Sequence, residues 1–253
     1  MKNFLNQAVN QYLNDGTEYS IYLSRPQKNF EAFVYNPKPL RSASMIKVFI
    51  MAAVMEKVKR GELDLDEIFT LNDGDKVDGG ILQDYPSGSE LTLRKLVELM
   101  ITHSDNTATN IVIERVGMSA INDYIKRHGY GDTILRRKMM DFDAARAGRE
   151  NISSVRDLGK FFTRLYNREC VGNTYDEIML DFLANQTDNV CLPEALPDKK
   201  IAHKTGGLDG LFDDGGIIFG DSGDAVLVIM TENFTSEEVA IEHMKNFTRA
   251  VFA

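Results

Sequence analysis

Three short groups of residues in this chain carry the side chains that chemistry needs. Ser44-Met45-Ile46-Lys47 sets a hydroxyl and an amine one helical turn apart, which brings both to one face of a helix. Ser104-Asp105-Asn106 supplies a second hydroxyl beside a carboxylate and an amide. Lys204-Thr205-Gly206 supplies a second amine, followed by a hydroxyl and a residue with no side chain. Serine is a weak nucleophile until a base removes its proton. Lysine becomes such a base when burial and a neighbouring cation lower its pKa. On this reading Ser44 is the nucleophile and Lys47 its base. Ser104 relays a proton to the leaving group, and Lys204 holds the polarity of Ser104. The backbone N–H groups of Ser44 and Gly207 are candidates for an oxyanion hole. Asn106 can bond a substrate amide and Thr205 a substrate carboxylate. Gly206 and Gly207 leave room for a substrate backbone along a strand edge.

These groups need elements to hold them. Apolar residues from Met45 to Met55 fall on nearly every side of a helix predicted from Ser44 to Lys59, so that helix is expected to be buried. Helical spacing also marks Phe4–Leu13, Leu91–Ile101 with Thr92 as cap, Ala108–Val116, Ser119–His128, Ser153–Tyr166 and Tyr175–Leu183. Alternation predicts strands at Glu18–Leu23 and Phe30–Tyr35, forming a hairpin, and at Lys200–Lys204, Gly216–Phe219 and Ala225–Met230. A last helix runs from about Ser236 to Phe252. The stretch from Leu135 to Asn151 has no clear period and reads as a long surface loop. Hairpin, helices, then strands imply an α+β protein, with one antiparallel sheet built from both chain ends. The expected division is a sheet lobe of residues 1–41 plus 195–253 and a helical lobe of residues 42–194, with the site between them.

Each group also has a plainer reading. Ser44 can be a helix N-cap, Ser104-Asp105-Asn106 a turn between helices, and Lys204-Thr205-Gly206-Gly207 the end of a strand. The first motif alone is expected about once by chance in a chain of this size; all three in order are far rarer. His103 and His203 each precede a motif, but no third ligand accompanies them, so no metal and no cofactor is expected. Cys170 and Cys191 read as two ordinary thiols rather than a disulfide.

The trio S-x-x-K, S-D-N and K-T-G resembles that of the class A β-lactamases and penicillin-binding proteins. The resemblance extends to Thr107-Ala108-Thr109-Asn110, Leu91-Thr92-Leu93, Gly79-Gly80-Ile81-Leu82 and Gly215-Gly216-Ile217-Ile218-Phe219. It implies a β-lactamase-like fold, a Ser44 acyl-enzyme, and a β-lactam or a D-Ala-D-Ala-like peptide as small-molecule partner. Two departures stand out. Arg137 resembles the arginine of the family's R-x-E-P-x-x-N loop, which puts Met139 where the Glu that activates the deacylating water belongs. Asp141, Asp143 and Glu150 are nearby carboxylates out of register. From Leu208 to Asp214 there is no arginine of the kind that helps hold a β-lactam carboxylate. These departures keep open a D-alanyl-D-alanine peptidase, a transpeptidase, an esterase, or a slowly deacylating sensor.

Composition narrows the field. The 253 residues are 43% hydrophobic, enough for a sizeable core. A formal net charge of −9 argues against a nucleic-acid binder. No apolar run reaches transmembrane length, and a monomer is expected. The first ten residues lack a signal peptide's apolar stretch, which fits either a cytoplasmic protein or an exported one whose signal is gone.

Overall fold

The computed structural model describes residues 2–27, 32–220 and 223–253. In chain order its helices are α1 (Lys2–Tyr12), α2 (Lys47–Lys59), α3 (Leu93–Thr102), α4 (Asn106–Val116), α5 (Met118–Arg127), α6 (Phe142–Arg146), α7 (Val155–Tyr166), α8 (Asn173–Ala184), α9 (Leu192–Ala195) and α10 (Glu237–Phe252). The strands are β1 (Glu18–Ser24), β2 (Phe33–Tyr35), β3 (Leu40–Arg41), β4 (Ile68–Thr70), β5 (Glu90–Thr92), β6 (Ile152–Ser153), β7 (Lys200–Leu208), β8 (Leu211–Phe219) and β9 (Ala225–Glu232). The main sheet has the order β2-β1-β9-β8-β7, with antiparallel neighbours throughout; β3 pairs with β6 and β4 with β5. The fold is therefore α+β, with both chain ends meeting in one sheet. Phe30, expected to open the second strand, lies outside the described residues.

Period-two alternation divides the sheet's two faces between two cores. Leu227 and Ile229 of β9 join Ile21 and Leu23 of β1 against Leu5 and Val9 of α1 and Met244 and Phe247 of α10. Val226, Val228 and Met230 face the other way and join the cluster built around α2. Central β9 is consequently apolar at every position from Ala225 to Met230. In α2, every residue from Lys47 to Met55 is buried. A helix without a polar face belongs in the interior, and α2 packs against α3, α4, α5 and α8.

Three expectations about element boundaries are corrected. Ser44 does not start the α-helix: it sits on a 3₁₀ turn, Ala43–Ile46, that runs into α2. Strand β7 does not end at Lys204; it continues through Gly206 and Gly207 to Leu208, because β8 pairs with it residue for residue as far as Leu208↔Leu211. The glycines signal a stop locally, but the cross-strand ladder overrides them. The segment from Leu135 to Asn151 contains the short helix α6 and is firmly tied. Asn122 bonds Leu135 N and O, Asn110 bonds Met139 N and O, and Asn151 bonds the backbone of Arg136 and Arg137. An asparagine both donates and accepts, so each acts as a substitute strand for backbone that has none.

Candidate active site

The three motifs, far apart in sequence, meet at the hydroxyl of Ser104. Lys47 arrives from the first turn of α2, and its Nζ donates to Ser104 O at 2.6 Å, Ser104 Oγ at 3.1 Å and Asn106 Oδ1 at 2.8 Å. Lys204 arrives from β7, and its Nζ donates to the same Ser104 Oγ at 3.0 Å and to Thr205 O at 2.8 Å. Both lysines are 0% exposed. Burial drives the pKa of Lys47 well below the ordinary lysine value; the charge of Lys204 pushes the same way and Asp105 opposes. Burial brings Lys204 down to about 7, against the pull of Asp188 and Asp214. Two buried amines thus converge on one hydroxyl, an arrangement that can move a proton.

Asp105 keeps this arrangement in place. Its carboxylate caps α4 by accepting from Ala108 N at 2.7 Å, and it accepts from Ile81 N and Leu82 N at 2.7 and 2.8 Å. The three residues between Thr102 and Asn106 would ordinarily be a loose link between helices. Here the cap fixes Ser104 at φ +52, a left-handed conformation uncommon for serine. The same contacts explain Gly79-Gly80-Ile81-Leu82. A Cβ on Gly80 would collide with the Asp105 carboxylate and Cα, and one on Gly79 would lie 2.6 Å from Asn106 Nδ2. The amide of Asn106 is already engaged, with Nδ2 on Asp78 O at 2.9 Å and Oδ1 on Lys47.

Ser44 is half-buried and opens into a pocket whose polar lining is Asn106, Arg137, Asn151 and the backbone of Gly207. Its apolar lining is Ala43, Met139, Met140, Phe142 and Leu208. Ser44 caps no helix, since the capping positions of the 3₁₀ turn and of α2 are Ser42 and Ile46. Among the described residues no hydrogen bond joins Ser44 to Lys47. Gly206 lets β7 close on the serine turn: a Cβ there would lie 3.1 Å from Ala43 Cβ and 3.2 Å from Ser44 N. Gly207 is exposed with open space beside it, and Thr205 is buried.

The carboxylates near Met139 have other occupations. Glu150 bonds the Arg137 guanidinium at 2.7 Å, Asp141 caps α6 through Ala144 N, and Asp143 pairs with Arg146. None of them lines the pocket. The two histidines are separately engaged: His203 Nδ1 with Asp214 Oδ1 at 2.8 Å, and His103 Nδ1 with Thr102 Oγ1 at 2.8 Å. Among the described residues no group of three or more His, Cys, Asp or Glu side chains could hold a metal ion. Cys170 and Cys191 are free and buried in different cores. The sequence reading missed the roles of Asp105 and Asn151. An aspartate placed just before a helix was the available signal for the first; the second had none, because its partners lie 14 and 15 residues away.

The family model described as "Beta-lactamase enzyme family" matches residues 1–253. A β-lactamase of Streptomyces fradiae is 29% identical over 210 residues, which cover 78% of this chain and 68% of that protein. The crystal structure of a β-lactamase from Sphaerobacter thermophilus superimposes with a TM-score of 0.91 at 30% identity, covering 100% of this chain and 97% of that one. PBP-A superimposes with a TM-score of 0.90 at 25% identity, covering 99% of this chain and 94% of that one. A variant of PBP-A has been solved as an acyl-enzyme complex with penicillin G. With a match along its whole length and the serine–lysine geometry above, the chain belongs to the beta-lactamase enzyme family, as a serine hydrolase of the class A kind.

Proposed function

We propose that this protein opens the β-lactam amide through an acyl-enzyme on Ser44 and releases the acyl group slowly. The observation that carries the reading is the convergence of two buried amines, Lys47 and Lys204, on Ser104 Oγ next to the Ser44 pocket. Lys47 has three acceptors for its three N–H bonds. In the neutral form it gives up one of them, and the freed lone pair takes the Ser44 proton as Oγ attacks the carbonyl. The backbone N–H groups of Ser44 and Gly207 stabilise the oxyanion. The proton then passes through Ser104 Oγ to the departing nitrogen, with Lys204 keeping that hydroxyl polarised. Thr205 and Gly206 bind the substrate carboxylate and backbone along β7, and Asn106 offers the acyl amide the second N–H of its Nδ2, the first being given to Asp78 O.

Release needs a base aimed at the ester from the loop side. Met139 stands there, 7% exposed and held by Asn110, and a thioether takes no proton. Losing a positioned base typically costs about 10²–10⁴-fold. The same feature favours a second reading, in which D-Ala-D-Ala-like peptides are the substrates and β-lactams merely block the site. Chromogenic cephalosporin turnover combined with intact-mass analysis tests both. A penicilloyl adduct on Ser44 that persists for minutes or longer supports slow release. Fast turnover with no adduct refutes it, and no adduct with any β-lactam favours the peptidase.

A further inference from the structure

Strand β8 carries two adjacent buried aspartates whose surroundings differ sharply. Asp214 is fully engaged: Oδ1 meets His203 Nδ1 at 2.8 Å and Oδ2 accepts from Leu192 N at 2.9 Å. Asp213 is 0% exposed; its Oδ1 accepts from Thr231 N at 2.9 Å, while its Oδ2 is buried with no hydrogen-bond partner among the described residues. Regular β8–β9 pairing stops at Asp214↔Ile229. Beyond it, side chains continue the ladder. Asp213 Oδ1 serves Thr231 N, and Thr231 Oγ1 accepts from Phe212 N at 2.8 Å and donates to Phe212 O at 2.7 Å.

Asp213 lies beneath the serine turn. Its cross-strand partner is Gly206, and paired residues on antiparallel strands project to the same face. A Cβ on Gly206 would point at Ala43 and at Ser44 N, so the Asp213 side chain projects toward the layer under residues 42–44. In that layer Ser42 Oγ is likewise buried without a partner, and Ala43 is held at φ +39. The charged groups around Asp213 are Arg41 on β3, Glu232 on β9, Asp214 on β8 and Lys204 on β7; before Lys47, the 3₁₀ turn contributes none. Arg41 is neutralised by Glu232, 2.7 Å from its Nε, and Lys204 is turned to Ser104. Among the described residues no cation therefore pairs with Asp213, and a buried carboxylate with one donor and no counter-charge is costly where a neutral acid is not.

We propose that Asp213 is a positioning residue, held as a neutral carboxylic acid, that seats the Ser44 turn against β7 from beneath. Burial raises its pKa well above the ordinary carboxylate value; Glu232 and Asp214 add to the rise, while the Thr231 N–H and Arg41 oppose it. An acid whose native pKa is raised loses native stability as pH climbs from the ordinary carboxylate range through the native value.

Asp213→Asn is the neutral isostere that carries no such loss. The folding equilibrium constant of D213N relative to the natural chain, measured by denaturant titration, should rise about tenfold per pH unit from about pH 4 upward, levelling at the native pKa. A ratio that stays flat from about pH 5 to pH 9 overturns the neutral acid. Positioning is read separately by amide hydrogen exchange: Asp213→Ala should speed exchange at residues 43–46 by about tenfold or more, and D213N should restore protection. Unchanged exchange in D213A overturns the positioning role. Neither readout needs Ser44 to be acylated, so failure of the nucleophile reading and failure of this inference are distinguishable. If D213A does not fold, D213N with slowed exchange across the same four residues at high pH supports the proposal, and D213N with unchanged exchange there overturns it.

Discussion

The two walls of the Ser44 pocket are equally well anchored and chemically opposite. On the helix-and-strand wall Asn106 lines the pocket, and behind it Lys47, Ser104 and Lys204 are joined to it and to one another by hydrogen bonds. On the loop wall, three asparagines fix the backbone from Leu135 to Asn151, and Met139, Met140 and Phe142 line the pocket beside Arg137 and Asn151. Rigidity is thus no guide to chemistry. One wall is backed by amines and hydroxyls, and the other brings a methionine at position 139 and no carboxylate to the pocket. Under the proposed function, the acylating half of a two-step hydrolysis is present and the releasing half is missing.

The largest effect that can break this comparison is loss of the nucleophile. Ser44→Ala should abolish covalent labelling by a fluorescent penicillin while leaving the thermal midpoint nearly unchanged, since among the described residues the Ser44 hydroxyl makes no hydrogen bond that its removal would orphan. Labelling that survives would take Ser44 out of the mechanism. Next is the base on the reactive wall. Lys47→Ala should slow acylation by at least about a hundredfold. Lys47→Arg should do nearly as badly, because a guanidinium stays protonated near neutral pH; stopped-flow acylation at the natural rate in the arginine variant would assign the base elsewhere.

The loop wall can be sharpened rather than broken. Met139→Glu puts a carboxylate on backbone already held by Asn110, and deacylation followed by mass spectrometry should accelerate by about tenfold or more, toward the 10²–10⁴ of a well-aimed base. An adduct of unchanged lifetime would mean that Met139 does not face the ester. The smallest effect concerns the cost of the reactive wall. Lys204 is brought down to about 7 by burial, so the native state binds fewer protons than the unfolded chain between that value and the ordinary lysine range. The stability penalty is full below about pH 7 and fades as pH rises beyond it. Lys204→Met should therefore stabilise the protein by about 1 kcal/mol or more at pH 6 and by less at pH 9, while acylation collapses. Equal gains at both pH values would place the Lys204 titration elsewhere.

What the sequence determined by itself was everything carried by short-range pattern. The spacing of Ser44 and Lys47, the all-round apolar character of Val48–Met55, the Thr92 cap and the alternation in β9 are repeats of 2 to about 4 residues, and local sterics fix them. Taken in order, they also gave one sheet from both chain ends. Tertiary structure decided whatever depends on partners distant in sequence. The glycines after Lys204 read as the end of a strand until β8 paired with them through Leu208. Asp141, Asp143 and Glu150 read only as nearby carboxylates out of register, and the structure shows them engaged by a helix cap and two arginines. Asp213 and Asp214, neighbours in sequence, were given unlike environments by opposite faces of one sheet. The depressed pKa values of Lys47 and Lys204 come from burial, and their common partner Ser104 lies 57 residues from one and 100 from the other. A residue's type states what chemistry it can do. The dielectric and the partners that packing gives it decide what chemistry it does, and no periodicity in the chain encodes those.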